Sequence, residues 1–396
     1  MAGIVAALAT AAAMPITWAG VPMPDDDPFY AVPARMESFT NGAVLNSRPI
    51  SMLGLPLPVA GWQLQFRSTD SAGTAIADMA TVLTPMTPWL GTGGRPLVSY
   101  QVAEDSLGIL CAPSFALGGG QDLSISNMAL DLPFISAMLL HGWAVVVTDY
   151  EGPQSRFFDG VTSGRGVLDG VRAAKSFAPV GISGNSPIGA WGYSGGAFST
   201  LWAMQLRATY APELMFSGVA SGGVPAGLAS IARRVDGRAQ AGLAVLMLVA
   251  FARNDPASGL IDDLNDHGRT LVAQESAACG SDLVLHHLNR RMDKYSDKPN
   301  LLWHRQFEVA TQRQELGGIA PDMPLYLYHS SADDMIPVEG FTALVNRYCA
   351  LGAAVTATHS AISGHNPAAL MGSVGAMKFL ADRFAKAPVA SGCAVR

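Results

Sequence analysis

Charge is scarce in this chain: only 14% of its 396 residues are Asp, Glu, Lys or Arg, and the formal net charge is −6. No cluster of Lys and Arg appears anywhere. Nucleic-acid binding needs a basic face to neutralise phosphates, so that class is set aside. Cysteine is scarce too. Cys111, Cys279, Cys349 and Cys393 lie far apart without a CxxC pair, which argues against a zinc site and leaves no metal expected. Internal repeats and low-complexity linkers are also missing. What is present is a 49% hydrophobic content, enough to bury a large core in a chain longer than one usual compact domain. One large domain carrying an insertion fits this better than two equal domains.

Residues 1–19, MAGIVAALATAAAMPITWA, are apolar and uncharged, with small residues near Ala19 just before the acidic, Pro-rich GVPMPDDDP. This is the pattern of a secretory signal cleaved near Ala19, although it lacks the positive n-region of such leaders. The expected location is therefore outside the cell or in its envelope. An even number of cysteines in an exported chain favours two disulfides. Three connectivities are open at this stage, and four buried free thiols are the alternative.

From about Arg95 onward, apolar runs of strand length alternate with amphipathic segments of helix length, the signature of a parallel sheet covered by helices. Strands are expected at Pro96–Val102, Trp143–Asp149, Ile188–Tyr193, Met215–Ala220, Leu325–His329 and Val355–Thr358. Helices are expected at Phe134–Leu140, Val167–Phe177, Gly196–Tyr210, Val338–Ala350 and Pro367–Phe384. The alternation breaks at residues 223–321, a helical, charged stretch that reads as a cap inserted after the sixth strand between core segments 20–222 and 322–396. Within it, Ala241–Ala252 (AGLAVLMLVAFA) is the most apolar run outside the leader and is too short to span a bilayer. It reads either as a buried cap helix or as a lid or acyl-channel wall that meets lipid.

The segment SPIGAWGYSGGAF carries the chemistry. An apolar strand runs into Gly192, Tyr193, Ser194, Gly195 and Gly196 and then a helix, which is GxSxG in the context that a nucleophile elbow requires. In a chain with 42 glycines the bare motif says little, and the strand–turn–helix context carries the weight. The nucleophile of such an elbow sits in a strained conformation, so residues two before and two after it must lack colliding side chains. Gly192 and Gly196 meet that need. The turn also sets the hydroxyl at a helix N-terminus, where backbone donors favour developing negative charge.

An α/β-hydrolase places its acid and then its histidine after the serine. The strand MPLYLYHSS leads into Ala332-Asp333-Asp334-Met335-Ile336-Pro337, where a carboxylate would stand at the sheet edge. Asp333 is preferred because the acid of this fold commonly stands four residues before the proline of such a turn; Asp334 is the alternative. Of eight histidines, only His359 and His365 follow this acid. His365, expected in a loop between the last strand and the last helix, is preferred as base over His359, which falls in or at the end of the strand.

Taken together, RPLVSYQVAEDS, CAPSF, VVVTDYEG, GYSGGAFSTLWA and TYAPEL resemble the sequence blocks of the secretory lipases, a family that includes yeast lipase A and actinobacterial relatives. The similarity covers roughly residues 28–385, and these blocks in combination are far more specific than GxSxG alone. The resemblance implies an α/β-hydrolase fold with a helical cap and the activity of a carboxylic ester hydrolase or triacylglycerol lipase. It implies a triad of Ser194, Asp333 and His365, and an oxyanion hole at Asp105 and the backbone N–H of Gly195. An acidic side chain at Asp105 could assist only if protonated, so its backbone N–H is the first choice of donor. The resemblance also pairs Cys111, in the CAPS block, with Cys279 in the cap, which leaves Cys349 for Cys393.

The expected mechanism is two-step acyl transfer without metal or organic cofactor. The expected ligand is an ester or lipid, with lipid contact through the cap and no stable protein partner. A short-chain esterase or a serine peptidase of this fold would share the same residues, and a catalytically dead binding protein would need a broken triad. The catalytic groups are expected outside the cap, so that the cap selects esters while leaving the bond-breaking machinery alone.

Overall fold

The computed structural model describes residues 21–51, 55, 57–121, 128–389 and 392–395. The expected leader at 1–19 lies outside these residues. Ten strands form one sheet in the order β1-β2-β3-β5-β4-β6-β7-β8-β9-β10. Strands β1 (Val44–Ile50), β2 (Val59–Thr69) and β3 (Ala75–Pro85) are antiparallel, and β3 runs antiparallel to β5. The rest are parallel: β4 (Leu97–Gln101), β5 (Ala144–Thr148), β6 (Ile188–Tyr193), β7 (Phe216–Gly222), β8 (Leu325–Ser330), β9 (Val355–Ser360) and β10 (Cys393–Val395). This is the α/β-hydrolase architecture anticipated above.

Alternate residues of each central strand serve two cores. Leu97, Ala144, Ile188, Ala190 and Val219 face helices α2 (Gly160–Ser176), α3 (Gly195–Tyr210) and α9 (Val338–Ala350). Val98, Tyr100, Val145, Trp191 and Ala220 face α1 (Met128–Leu140) and α10 (His365–Phe384). Burial on both sides explains why these strands read as continuous apolar runs.

Strands β2 and β3 escape the sequence pattern because they bury polar residues, and β1 because none of its residues is fully buried. Gln63, Gln65, Ser68, Asp78 and Thr81 are all nearly inaccessible, which erases the apolar signal. Several are satisfied by partners distant in sequence: Gln63 donates to the Ser114 carbonyl (2.6 Å), and Ser68 to the Asp169 carboxylate (2.7 Å). Helix α2 begins seven residues earlier than its apolar pattern, at a Gly-rich stretch that propensity disfavours. Tight packing accounts for this: a Cβ on Gly164 would lie 2.9 Å from the backbone of Trp202 in α3, and one on Gly170 would lie 2.0 Å from the Thr148 side chain.

Strands β7 and β8 pair directly, Val219 opposite Leu325, so the chain between them is an insertion relative to the sheet, after its seventh strand when the edge strand β1 is counted and its sixth when it is not. It holds α4 (Leu228–Val235), α5 (Ala241–Asn254), α6 (Asp266–Gln274), α7 (Gly280–His286) and α8 (Arg305–Gln312). Every residue of Ala241–Ala252 is buried. Two disulfides are present, Cys111–Cys279 and Cys349–Cys393. They close loops with sequence separations of 168 and 44 residues. In a chain-entropy account each removes about 4–5 kcal/mol of unfolded-state freedom. The second also anchors β10, which carries no strand signal of its own.

Candidate active site

The sheet order reverses at β4, which has β5 on one side and β6 on the other. In an open α/β sheet the crevice beyond the carboxyl ends of such strands is the natural ligand site. Ser194 follows β6 directly and caps α3 with φ 54° and ψ −127°, outside the regions an L-residue normally occupies. The close approaches that force this turn are visible. A Cβ on Gly192 would lie 2.3 Å from the Gly196 carbonyl oxygen, and one on Gly196 would lie 2.0 Å from that of Gln101. The Ser194 N–H donates to Gly222 at the end of β7 (3.0 Å). Gly195 is the first residue of α3, so its N–H has no partner within the helix and is free to meet an anion.

Asp333 and His365 meet. The His365 Nδ1 lies 2.7 Å from Asp333 Oδ2, and both side chains are buried. The other Asp333 oxygen, Oδ1, accepts from the backbone N–H groups of Met335 (2.9 Å) and Ile336 (2.8 Å). Burial works to raise the pKa of this carboxyl. The hydrogen bond and charge of His365, with the two backbone donors, outweigh burial and hold it below the ordinary carboxylate value. His365 Nε2 is buried without a hydrogen-bond partner among the described residues. Its Cε1 stands 2.9 Å from where a Cβ of Gly223 would be, next to the residue that receives the Ser194 N–H. No hydrogen bond joins the Ser194 hydroxyl to the ring, a contact that ligand-free serine enzymes often close only with substrate bound.

One placement differs from expectation. His365 is not in a loop but is the first residue of α10, after Gly364 at φ 92°. The Pro367 ring at the third helical position is tolerated because a first-turn N–H has no partner to lose. Asp334 does not touch the imidazole; its Oδ1 accepts the backbone N–H of His365 (2.8 Å). His359 is exposed at the end of β9, edge-on to Phe341. Sequence reasoning missed Tyr193, whose hydroxyl donates to the His365 carbonyl (2.7 Å); its place beside the serine was the available signal.

Asp105 sits in the loop after β4 at φ 42°. Its Oδ1 is buried without a hydrogen-bond partner among the described residues, 1.9 Å from where a Gly195 Cβ would be, so the carboxyl overlies the start of α3. Burial pushes its pKa up to about 6, against the pull of His365. The insertion is joined to this loop, in line with the Cys111–Cys279 pairing that the family resemblance implies. Ser106 bridges Cys279, Leu107 donates to Ala278 (3.0 Å), and Cys111–Cys279 ties the two covalently. Arg253, in the last turn of α5, donates to the carbonyls of Leu107 and Ser276 (2.8 Å each) and of Ser155.

A cavity of about 690 Å³ opens between the insertion and the sheet edge. Leu243, Leu246, Val284, Leu285 and Met335 form its apolar wall, and Asp105 and His365 also line it. One face of α5 therefore reaches the cavity, while the rest packs into the core as the buried-helix reading expects.

Behind the Asp105 loop, burial raises the pKa values of Asp78, Glu104, Asp149 and Glu151, with Asp149 at about 7. Burial likewise lifts Asp131 to about 7. A carboxyl that holds its proton more tightly folded than unfolded contributes its full stability below its unfolded pKa, about 4, and loses it as pH rises through the folded value. Thermal melts should therefore give a higher Tm near pH 5 than near pH 8, and a Tm rising across that interval would contradict these shifts.

Residues 119–392 match the secretory lipase family. The chain is 35% identical over 375 residues to a protein of Mycobacterium tuberculosis named as a probable inactive lipase, covering 93% of this chain and 84% of that one. It is 31% identical over 380 residues to lipase A of Moesziomyces aphidis, covering 92% and 81%. The solved structure of Candida antarctica lipase A superposes with a TM-score of 0.85 at 29% identity, covering 95% of this chain and 90% of that one.

Proposed function

Because the chain belongs to the secretory lipase family, a group of ester-hydrolysing serine hydrolases, we propose that it is an exported lipase whose nucleophile is Ser194, whose base is His365 and whose orienting acid is Asp333. The observation that carries this is the buried Asp333–His365 pair beside a serine held at φ 54° in a Gly-flanked elbow. Asp333 fixes the imidazole with its proton on Nδ1, which leaves Nε2 to take the Ser194 proton. The alkoxide attacks the ester carbonyl, the alcohol leaves with the proton from His365, and water repeats the sequence on the acyl-enzyme. The N–H groups of Asp105 and Gly195 receive the oxyanion. Export fits the family's secretory character and the two disulfides, which persist in oxidising compartments. The leader at 1–19 belongs to this proposal.

In the proposal residues 223–321 act as a cap, and the apolar wall of the cavity takes the acyl chain, favouring a lipase over a short-chain esterase. A series of esters from acetate to oleate tests this, since each buried methylene should add about 0.8 kcal/mol. Leu285 lines the cavity yet is 67% exposed, so Leu285→Asp should weaken palmitate hydrolysis far more than acetate hydrolysis with little change in Tm. Equal losses on both esters, or flat chain-length dependence in the wild type, would favour the esterase. A second reading, a non-catalytic binding protein, is raised by the relative named as inactive. Labelling by a fluorophosphonate, which reacts only with an activated serine, separates the two; absence of labelling would favour the binding protein.

A further inference from the structure

Asp333 and Asp334 are consecutive, yet they grip different atoms of one residue. Asp333 takes the ring of His365, and Asp334 Oδ1 takes its backbone N–H at 2.8 Å. The other oxygen of Asp334 accepts from Gln240 Nε2 at 3.0 Å, and Gln240 stands in the insertion immediately before α5. We propose that Asp334 is a positioning residue for the base, and that through Gln240 it makes the seating of the insertion part of what places His365. The proposal rests on the triad reading given above.

The local chain leaves this task to an outside partner. His365 opens the 20-residue helix α10, and the residue capping it is Gly364, which has no side chain to accept a first-turn N–H. At φ 92° that position favours glycine, so a Ser, Thr or Asp cap is not an easy substitute. Asp334 supplies the missing acceptor from a separate loop, as a carboxylate at a helix N-terminus, where both hydrogen bonding and the helix dipole favour it. The two loops are stitched at further points: Gly364 donates to the Ala332 carbonyl (3.0 Å), Ser331 to that of Ser360 (2.8 Å), and the Ser330 hydroxyl to that of Ile362. With Tyr193 holding the His365 carbonyl, the backbone of the base is fixed at both its N–H and its C=O, and its ring by Asp333.

The second half of the inference follows from where Gln240 lies. Gln240, Asp334 and His365 all line the cavity, together with Leu243 and Leu246 of α5. A ligand that presses on the α5 wall therefore acts on the element that starts at Gln240, one hydrogen bond from the carboxylate that holds the base. A general base works only within hydrogen-bond reach of its proton, and a misplacement of about 1 Å can cost roughly 100-fold in rate.

The test uses the full-length enzyme with a soluble short-chain ester, reading kcat and KM separately, together with the rate of fluorophosphonate labelling of Ser194. Asp334→Ala should lower kcat and the labelling rate together by roughly tenfold or more while KM changes by less than about twofold. Asp334→Asn keeps an oxygen for the His365 N–H and should recover most of the loss. Gln240→Ala, which leaves the Asp334 carboxylate in place, should lower the same two rates by a smaller factor at unchanged Tm. Wild-type kcat in Asp334→Ala overturns the proposal. So does a loss confined to KM, or an equal loss in Asp334→Ala and Asp334→Asn, which would mean that charge and not placement matters. If Asp334→Ala does not fold, Gln240→Ala decides alone, and wild-type rates there sink the coupling. Ser194→Ala is the control on the underlying reading: if it still labels and turns over, the triad falls, whereas a dead Ser194→Ala beside an undisturbed Asp334→Ala removes this proposal only.

Discussion

Replacing Ser194 with alanine should reduce ester turnover by roughly a millionfold, the loss typical of removing the nucleophile from a triad that acts as a unit. The fold should survive, because Ser194 contributes to it through its backbone: its N–H bonds Gly222 and its carbonyl accepts from Ala197 and Phe198 at the start of α3. Alanine inherits the strained φ of 54° but adds no bulk. Turnover of purified Ser194→Ala, measured beside a thermal melt, is the decisive assay. Near wild-type activity in a folded variant would remove Ser194 from the mechanism, and loss of activity together with the melt would make the assay a measure of folding alone.

Asp333→Asn should cost roughly ten-thousandfold in kcat, because an amide facing the imidazole favours the wrong tautomer and leaves Nε2 protonated. His365→Ala should cost as much or more, since it removes the base itself. His359→Ala should be mild, because that ring is exposed at the end of β9 and touches Phe341 by its edge. The contrast between the two histidines and the size of the Asp333→Asn loss are read from one set of kcat values. A crippled His359→Ala beside an active His365→Ala would transfer the base to β9. An active Asp333→Asn would leave the imidazole without the partner that its 2.7 Å contact assigns.

The tie between the insertion and the Asp105 loop changes how substitutions in the insertion must be read. Cys279, Ala278 and Gly280 hold the chain next to Asp105, the proposed oxyanion donor; a Cβ on Gly280 would lie 2.3 Å from the Asp105 carbonyl oxygen. A change inside the insertion can therefore alter kcat on every ester, beyond its effect on chain-length preference. Leu246 illustrates the difficulty, being only 2% exposed and part of the core while also lining the cavity. Leu285 separates the two effects because its side chain is largely in solvent.

The sequence by itself determined the parallel part of the sheet apart from β10, its covering helices, the elbow with Gly192 and Gly196, and a short list of acids and bases. These features rest on local pattern: strands buried on both faces must be apolar, and a strained turn must be flanked by residues without side chains. Strands β2 and β3 were illegible because buried Gln63, Gln65 and Asp78 break the apolar pattern, with the partners of Gln63 and Gln65 elsewhere in the chain, and β1 because it buries no residue fully. Only the tertiary structure decided which of two adjacent carboxylates meets the imidazole. Asp333 and Asp334 are consecutive, and periodicity has no resolution at that scale in a turn. The turn points one carboxylate inward to the ring and the other to the head of α10. The backbone bridge between Ser106 and Cys279 was likewise decided in three dimensions, because it is a long-range contact whose partner no local propensity encodes.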